Sequence, residues 1–238
     1  MELDILAFGA HPDDVELACS GTVLKHIASG KKVGIMDLTR GELGTRGTPE
    51  IREREANEAA KILGVSIREN LGFADGFFVN DKTHQLAVIN KIRKYRPAIV
   101  LANALSDRHP DHGRAAQLVA TASFLAGLVS IETTENGQLQ QPWRPKAVYH
   151  YIQYYFPRTD IAVDISDFME KKMEAVKAYK SQFHDPASKE PPTLISTPAF
   201  LQSLYDRAAE LGRMVGVQYA EGFTTERLTG VSSLFDLL

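Results

Sequence analysis

The sequence predicts an α/β fold in which a Rossmann-like, mainly parallel sheet carries helices on both faces. Through the first half of the chain, short apolar runs of strand length alternate with amphipathic stretches of helix length. The connections between them are short, which is typical of parallel strands joined by right-handed helical crossovers. No internal repeat or low-complexity segment divides the chain, so residues 1–238 are predicted to form a single domain.

The clearest helix of the first half runs from Pro49 to Leu63. Proline stands at an early helical position, apolar residues recur near a 3.6-residue period, and Gly64 supplies a C-terminal stop. The full set predicted for this half is strand Leu3–Ala10, helix Glu16–Ser29, strand Val33–Leu38, helix Pro49–Leu63, strand Ile67–Phe73, helix Gln85–Tyr95, strand Ala98–Ala102 and helix His112–Ala126.

The second half is less regular. The segment from His184 to Pro198 contains four prolines, which indicates either an ordered excursion or a mobile flap. The other predicted elements are a loop at Thr133–Pro145, strands at Ala147–Tyr155 and Ile161–Ile165, and helices at Phe168–Tyr179 and Pro198–Val215.

Composition excludes several classes of protein. Of the 238 residues, 44% are hydrophobic and 24% charged, with a formal net charge of −3, as in ordinary soluble globular proteins. No strongly basic surface for nucleic acid is expected, and no run reaches transmembrane length, so neither nucleic acid nor membrane is a predicted partner. The N-terminus has no basic segment of a secretory signal, and a cytoplasmic location is expected. The single cysteine, Cys19, is expected to be a buried, inert thiol, and any metal must be bound by histidine and carboxylate.

Two polar clusters follow the ends of predicted strands. The first, Ala10-His11-Pro12-Asp13-Asp14-Val15-Glu16, comes directly after the first strand, and the second, Ser106-Asp107-Arg108-His109-Pro110-Asp111-His112, follows the fourth. Ligands of open parallel sheets bind beyond the carboxyl ends of the strands. Taken alone, Asp13, Asp14 or Asp111 could simply cap the helix that follows it. Together, the three histidines and four aspartates of the two clusters favour a metal site.

A nicotinamide dinucleotide is the alternative ligand for this position. Its binding needs a Gly-x-Gly-x-x-Gly turn after the first strand, so that the backbone can approach the pyrophosphate. Here Gly9 is followed by Ala10-His11-Pro12-Asp13-Asp14, and the two carboxylates would repel the phosphates. The sequence therefore excludes this class of site.

The two clusters resemble the motifs of the LmbE-like (PIG-L) zinc-dependent N-acetylglucosaminyl deacetylases. The resemblance extends over nearly the whole chain. Its further segments are Asp37–Gly47, Ile51–Ala56, Ala59–Val65 and Leu71–Gly76, and the late segments Glu174–Phe183 and Gly216–Phe223 resemble the bacillithiol-biosynthesis branch, whose members hydrolyse N-acetylglucosaminyl-malate.

The resemblance implies a role for each residue of the clusters. It makes His11, Asp14 and His112 the ligands of one zinc ion per chain, which leaves an open position for water. Asp13 becomes the general base, and His109 stabilises the oxyanion or protonates the leaving amine. For Asp111 two roles stay open: holding His109 in its donating tautomer, or capping a helix.

Substrate contacts are also implied by the resemblance. Arg52 and Asp75 match family residues that touch the sugar. A malate aglycone adds two carboxylates, for which arginine is a suitable partner. The arginines considered for this contact are Arg40, Arg46, Arg54, Arg108 and Arg144, in part within the glycine-rich loop Thr39–Thr48.

The predicted function is therefore zinc-dependent removal of the acetyl group from an N-acetylglucosaminyl conjugate, with the malate conjugate of bacillithiol biosynthesis as the expected small-molecule substrate. An inositol conjugate or a chitooligosaccharide is the alternative within the same chemistry. A non-catalytic sugar-binding module and a non-haem iron oxygenase, which also uses two histidines and one carboxylate, are alternatives of other classes. The resemblance also predicts a homo-oligomer, with a hexamer as one form.

Overall fold

The computed structural model describes residues 1–237. Its strands are β1 (Ile5–Gly9), β2 (Val33–Thr39), β3 (Ile67–Phe73), β4 (Ile99–Ala102), β5 (Thr134–Glu135), β6 (Gln138–Leu139), β7 (Ala147–Tyr151), β8 (Ile161–Asp164) and β9 (Ala220–Thr224). Its α-helices are α1 (Asp14–Ala28), α2 (Pro49–Leu63), α3 (Lys82–Tyr95), α4 (Pro110–Leu125), α5 (Met169–Lys177) and α6 (Pro198–Val215), and 3₁₀ turns lie at Ser166–Phe168 and Leu234–Leu237.

Seven strands form one sheet in the order β3-β2-β1-β4-β7-β9-β8. The first five of these run parallel, while β9 pairs antiparallel with both β7 and β8. The chain moves outward from β1 to β2 and β3 and then returns to place β4 on the other side of β1. This reversal of strand order creates a crevice between β1 and β4, where open sheets bind their ligands.

Helices cover both faces of the sheet, as the sequence predicts. One apolar core packs α1, α2, α5 and α6 against the sheet through residues such as Val15, Leu63 and Leu204. The other packs α3 and α4 through residues such as Ile89 and Val119. Over the described residues, no helix is both long enough and apolar enough to cross a membrane.

Several predicted boundaries are corrected by the structure. The strand predicted at Ala147–Tyr155 ends at Tyr151, and the loop predicted at Thr133–Pro145 contains the short antiparallel pair β5–β6. Helix α4 begins at Pro110 rather than near His112. Strand β9 was not predicted, because Ala-Glu-Gly-Phe-Thr contains glycine and an acidic residue, which are both uncommon in buried strands.

The acidic residue of β9, Glu221, supplies hydrogen-bond partners at a break in helix α1. The helix is interrupted at Cys19, whose φ of −141° is not helical. The Glu221 carboxylate accepts hydrogen bonds from the backbone N–H groups of Gly21 and Thr22, at 2.9 and 2.7 Å. Lys172 donates to the Leu17 carbonyl at 2.9 Å and to Glu221 at 2.6 Å. The buried ion pair thus replaces the helical hydrogen bonds that the break removes.

We expect Glu221→Gln to lower the free energy of unfolding by about 3–5 kcal/mol, because it leaves the buried ammonium of Lys172 without a counter-charge. Urea denaturation of the variant and of the wild type measures the difference. The matched control is Glu210→Gln, which removes an exposed ion pair to Arg213 on α6 and should change stability little. Equal losses in the two variants would contradict a structural role for the Lys172–Glu221 pair.

Candidate active site

The two polar clusters meet where β1 and β4 lie side by side. Ile5, Leu6 and Ala7 of β1 are in register with Ile99, Val100 and Leu101 of β4. Each strand therefore ends at the same edge of the sheet, and the segment that follows it turns into a helix, α1 or α4. Adjacent parallel strands thus bring together two segments that are about a hundred residues apart in sequence.

Two imidazoles approach the same carboxylate, that of Asp14. The Nε2 atom of His112 lies 3.1 Å from Asp14 Oδ1, and the Nδ1 atom of His11 lies 3.7 Å from Asp14 Oδ2. The other nitrogen of each ring is held by a second carboxylate: Asp107 at 2.6 Å for His112 and Asp75 at 3.0 Å for His11. Histidines that bind metals have this arrangement, since a carboxylate on one nitrogen orients the other toward the ion.

Asp14 is also held by amide groups that sequence reasoning missed. The side-chain amides of Asn103 and Gln153 each donate to it at 2.9 Å, and the backbone N–H of His11 donates at 3.0 Å. Gln153 follows β7, which pairs with β4. Asn103 is fully buried at the end of β4. A buried amide at a strand end, beside a histidine-rich segment, is the signal that could have identified Asn103.

The pKa values of His11, His112 and Asp14 reflect the contacts of these groups with one another and with nearby carboxylates. Burial alone would lower the pKa of His11 and His112, but Asp111, Asp75 and Asp14 raise the pKa of His11 to about 10, and Asp14 and Asp107 raise that of His112 to about 9. Conversely, the imidazoles hold the pKa of Asp14 far below its usual range despite its burial. The pocket therefore favours positive charge beside Asp14, whether supplied by protons or by a metal ion.

Two sets of donor atoms within the described residues are compact enough to hold a metal ion. In one, nitrogen atoms of His11, His109 and His112 all lie within 4.8 Å of one another, and in the other the members are His11, Asp75 and Asp111. A cluster of histidine and aspartate side chains that can bind a metal therefore exists at this site. Neither set is the expected one of His11, Asp14 and His112, but Asp14 lies 3.7 and 3.1 Å from nitrogen atoms of these two histidines, and two imidazoles with a carboxylate suit a catalytic zinc ion.

His109 is oriented differently from the other two histidines. It is the N-cap residue of α4, and its Nδ1 atom accepts the backbone N–H of Asp111 at 3.3 Å. Nδ1 is thus the unprotonated nitrogen, and the hydrogen of the neutral ring is on Nε2. Burial and the neighbouring histidines lower the pKa of His109, which keeps the ring neutral.

Of the two roles considered for Asp111, that of helix cap is corrected by these contacts. The helix is capped by His109, and Asp111 reaches His109 through its backbone N–H rather than its carboxylate. The carboxylate instead accepts from the backbone N–H of Gly76 at 2.8 Å and pairs with Arg114 at 2.7 Å. It also lies 3.4 Å from His11 Nε2. Asp111 therefore contacts His109 through its backbone N–H and His11 through its carboxylate.

Asp13 lies beside Asp14 in a strained backbone conformation. Its φ of 127° is unusual for any residue other than glycine, and such strain is often found at functional sites. Arg52 donates to the Asp13 carboxylate at 3.1 Å and to the Pro12 carbonyl at 2.6 Å. Burial raises the pKa of Asp13 to about 7, against the opposing effect of the Arg52 charge. Asp13 and Asp14 are therefore neighbours with opposite pKa shifts.

The Arg52 guanidinium can reach Asp13 only because the loop beside it has a glycine. A Cβ atom at Gly41, whose φ is +65°, would lie 1.9 Å from the Arg52 Nη1 atom. Arg52 is buried, while both oxygens of Asp75 are engaged, one by His11 and one by the backbone N–H of Leu43 at 3.0 Å. The two residues predicted to touch the sugar therefore contact Asp13 and His11 directly.

A cavity of about 730 Å³ opens over these groups. It is large enough for a small-molecule ligand. Arg46, Arg52, Arg108 and Arg207 line it, whereas Arg40 pairs with glutamates on α2 and Arg144 packs over Phe124. Arg207 was not among the arginines considered from the sequence.

The proline-rich segment His184–Pro198 forms an ordered wall of this cavity. Ser188 accepts a hydrogen bond from Arg46 at 2.7 Å, and Glu190 accepts from the backbone N–H of Gly47 at 2.8 Å. Thr193, Leu194 and Ile195 line the cavity. The segment thus closes against the loop Thr39–Thr48 and forms the ordered excursion that was one of its two predicted forms.

Comparisons with known proteins agree with this geometry. The family model described as PIG-L: GlcNAc-PI de-N-acetylase matches residues 6–123, which contain both polar clusters. A diacetylchitobiose deacetylase from Thermococcus kodakarensis is 32% identical over 230 residues, covering 92% of this chain and 81% of that protein. A probable N-acetyl-alpha-D-glucosaminyl L-malate deacetylase 2 from Bacillus anthracis is 28% identical over 195 residues, covering 76% of this chain and 82% of that protein.

Solved structures show the same fold. A conserved protein from Thermus thermophilus is 36% identical with a TM-score of 0.85, covering 97% of this chain and 98% of that chain. A 4-carboxy-2-hydroxymuconate hydratase from Pseudomonas putida has a TM-score of 0.75 over 98% of this chain and 100% of that chain, and its 22% identity shows the fold alone. Since the fold also carries a hydratase, the reaction has to be argued from the site. The sequence matches and the two converging clusters establish that this chain belongs to the PIG-L family of deacetylases.

Proposed function

We propose that this protein is a zinc-dependent deacetylase that hydrolyses the N-acetyl group of an N-acetylglucosaminyl conjugate, releasing acetate and a free amine. The observation that carries the proposal is the arrangement around Asp14. Two histidines, each held by a carboxylate on one nitrogen, direct the other nitrogen toward it. Asp13, a second carboxylate with a pKa of about 7, lies next in the chain and lines the same cavity.

We assign one zinc ion per chain to His11, Asp14 and His112. The amides of Asn103 and Gln153 fix the carboxylate, and Asp75 and Asp107 fix the two rings, so this set is already oriented for a metal. When bound, zinc supplies Lewis-acid chemistry, polarising the amide carbonyl and lowering the pKa of water. We leave His109 out of the set. Its Nδ1 accepts the Asp111 N–H, so its Nε2 carries the hydrogen and is available to donate a hydrogen bond.

Asp13 is the proposed general base. A carboxylate whose pKa lies near 7 can accept a proton from water at neutral pH and still exist largely in the ionised form above that pH. Arg52 fixes the position of one carboxylate oxygen and limits the rise of its pKa. We therefore propose that Arg52 positions the base, in addition to any contact with the sugar.

His109 is the proposed donor to the substrate. Its neutral ring, with the hydrogen on Nε2, can donate a hydrogen bond to the oxygen of the tetrahedral intermediate, while the proton that Asp13 takes from water can pass to the leaving amine. Asp111 supports this role through its backbone N–H, and its carboxylate supports His11. Both contacts of Asp111 thus contribute to catalysis by orienting imidazole rings.

For the aglycone we propose malate, as in the bacillithiol-type conjugate. The resemblance of the late segments supports this choice, and so does the exposed Arg108, which lines the cavity and lies over the Tyr154 ring. A chitooligosaccharide is the alternative, because the diacetylchitobiose deacetylase is also a relative. The homo-oligomeric state and the cytoplasmic location stay predictions.

Substituting the two neighbouring aspartates one at a time separates base from ligand. We expect Asp13→Asn to retain zinc while lowering kcat by about 10²–10⁴-fold, the usual scale for loss of a general base. KM should change little, since proton transfer belongs to the transition state. Asp14→Asn should lose zinc as well as activity. Elemental analysis and an acetate-release assay measure both properties. Loss of zinc from Asp13→Asn, or near wild-type turnover by it, would show the mechanism to be wrong.

The pH dependence tests the proposed role of Arg52. Because the base acts in its ionised form, kcat/KM should rise with pH through about 7. Arg52→Gln removes the charge that opposes protonation of Asp13, so the rising limb should move to higher pH. Arg54→Gln is the matched control, because Arg54 is an exposed residue of the same helix. A rising limb at the same pH in all three proteins would contradict the proposal.

The aglycone is tested by comparing substrates. We expect kcat/KM for N-acetylglucosaminyl-malate to exceed that for plain N-acetylglucosamine and for N,N'-diacetylchitobiose, because cavity arginines bind carboxylates. Acetate and amine release under anaerobic conditions is the measurement, and it also excludes an oxygenase reaction. Equal values for the three would mean that the aglycone is not recognised. Binding of these sugars without any release, by zinc-loaded protein, would instead favour the sugar-binding module.

A further inference from the structure

One wall of the cavity is formed by helix α6 and the segment before it. The apolar side chains of Leu194, Ile195, Phe200 and Leu204 and that of Leu17 from α1 line this part of the cavity, together with the hydroxyl-bearing Thr193 and Ser203. Among them lies one cation, Arg207. A single guanidinium in largely apolar surroundings interacts more strongly with a charged ligand than one in open solvent does.

Arg207 has few partners of its own. Among residues 1–237, its one hydrogen bond goes from Nη2 to the Leu17 carbonyl at 3.3 Å, and no carboxylate lies within 4.0 Å of its guanidinium. The Leu17 carbonyl does not depend on this bond, since Lys172 already donates to it at 2.9 Å. Burial lowers the pKa of Arg207, and the charges of Glu221 and Asp107, which form no ion pair with it, offset this effect only in part. A nearby anion would remove this penalty.

The other arginines of the cavity differ from Arg207 because each has a carboxylate partner or is exposed to solvent. Arg52 is paired with Asp13 at 3.1 Å, and Arg46 lies 3.7 Å from Glu190. Arg108 has no carboxylate partner among the described residues, but it is exposed and lies over the Tyr154 ring. Arg207 is therefore the half-buried cation of the cavity whose charge the described part of the protein does not balance with an ion pair.

We propose that Arg207 is a specificity-determining residue, which binds a carboxylate of an acidic, aliphatic aglycone on the α6 wall of the cavity. This inference rests on the proposed deacetylase function and adds the residue that selects the substrate class. The apolar neighbours suit the carbon skeleton of such an aglycone, and the planar guanidinium suits its carboxylate, which it can bind through two parallel hydrogen bonds. A neutral sugar in the same place would leave the charge unbalanced.

The test compares two substrates in each of four proteins. The substrates are N-acetylglucosaminyl-malate and the methyl glycoside of N-acetylglucosamine, and the quantity is the ratio of their kcat/KM values. We expect Arg207→Gln to lower this ratio by about 10- to 100-fold, the range for a charge-assisted hydrogen bond. Arg207→Lys, which keeps the charge but loses the paired geometry, should lower it by less. Arg213→Gln is the matched control, because Arg213 is exposed on the same helix and pairs with Glu210.

Each outcome decides a separate point. If the wild type releases acetate from neither substrate, the proposed function fails. If it hydrolyses both and Arg207→Gln keeps the wild-type ratio, the assignment of Arg207 fails alone. If Arg207→Gln does not fold, as judged by its thermal unfolding, Arg207→Lys decides, and a wild-type ratio in that variant would overturn recognition by the guanidinium. A wild type that hydrolyses only the neutral glycoside would overturn the acidic substrate class.

Discussion

The buried carboxylate of Asp14 is the group on which the rest of the site depends. A charge in this position is costly unless it is matched, and here two imidazoles, two side-chain amides and one backbone N–H surround it. These partners come from the segments after β1, β4 and β7 and from α4, so the arrangement requires those strands to be neighbours. Asp14 can therefore remain ionised only because the strand order of the sheet brings these partners together.

Asp13 and Asp14 show how surroundings give identical side chains different properties. Asp14 faces the histidines, and its pKa is held low. Asp13 is paired with Arg52, and burial raises its pKa to about 7. The strained backbone at Asp13 turns the two carboxylates to different partners, although they follow one another in the chain. Opposite environments of this kind are a general means of separating acid–base roles between two carboxyl groups.

The sequence predicts the parallel half of the sheet and the location of the site well, because local patterns determine both. Helix α2 and strand β3 have the predicted bounds, and both clusters follow strand ends. Contacts between segments that are distant in sequence cannot be predicted from such local patterns. Asn103, Gln153 and Arg207 reach the site only through tertiary packing, and so does the Asp111 carboxylate in its contact with His11. Strand β9 could not be predicted, because its buried glutamate is paired with Lys172, which is 49 residues away and outside any local pattern.

The break in helix α1 has a consequence for the order in which the protein is made. Every proposed zinc ligand is synthesised within the first 112 residues, but the interrupted hydrogen bonds of α1 are completed by Lys172 and Glu221. On the ribosome, the N-terminal segment emerges long before these partners do. The helix that carries the first cluster therefore reaches its final form only when the last strand has left the exit tunnel. A nascent or truncated chain that contains the whole motif still lacks the support that holds it in place.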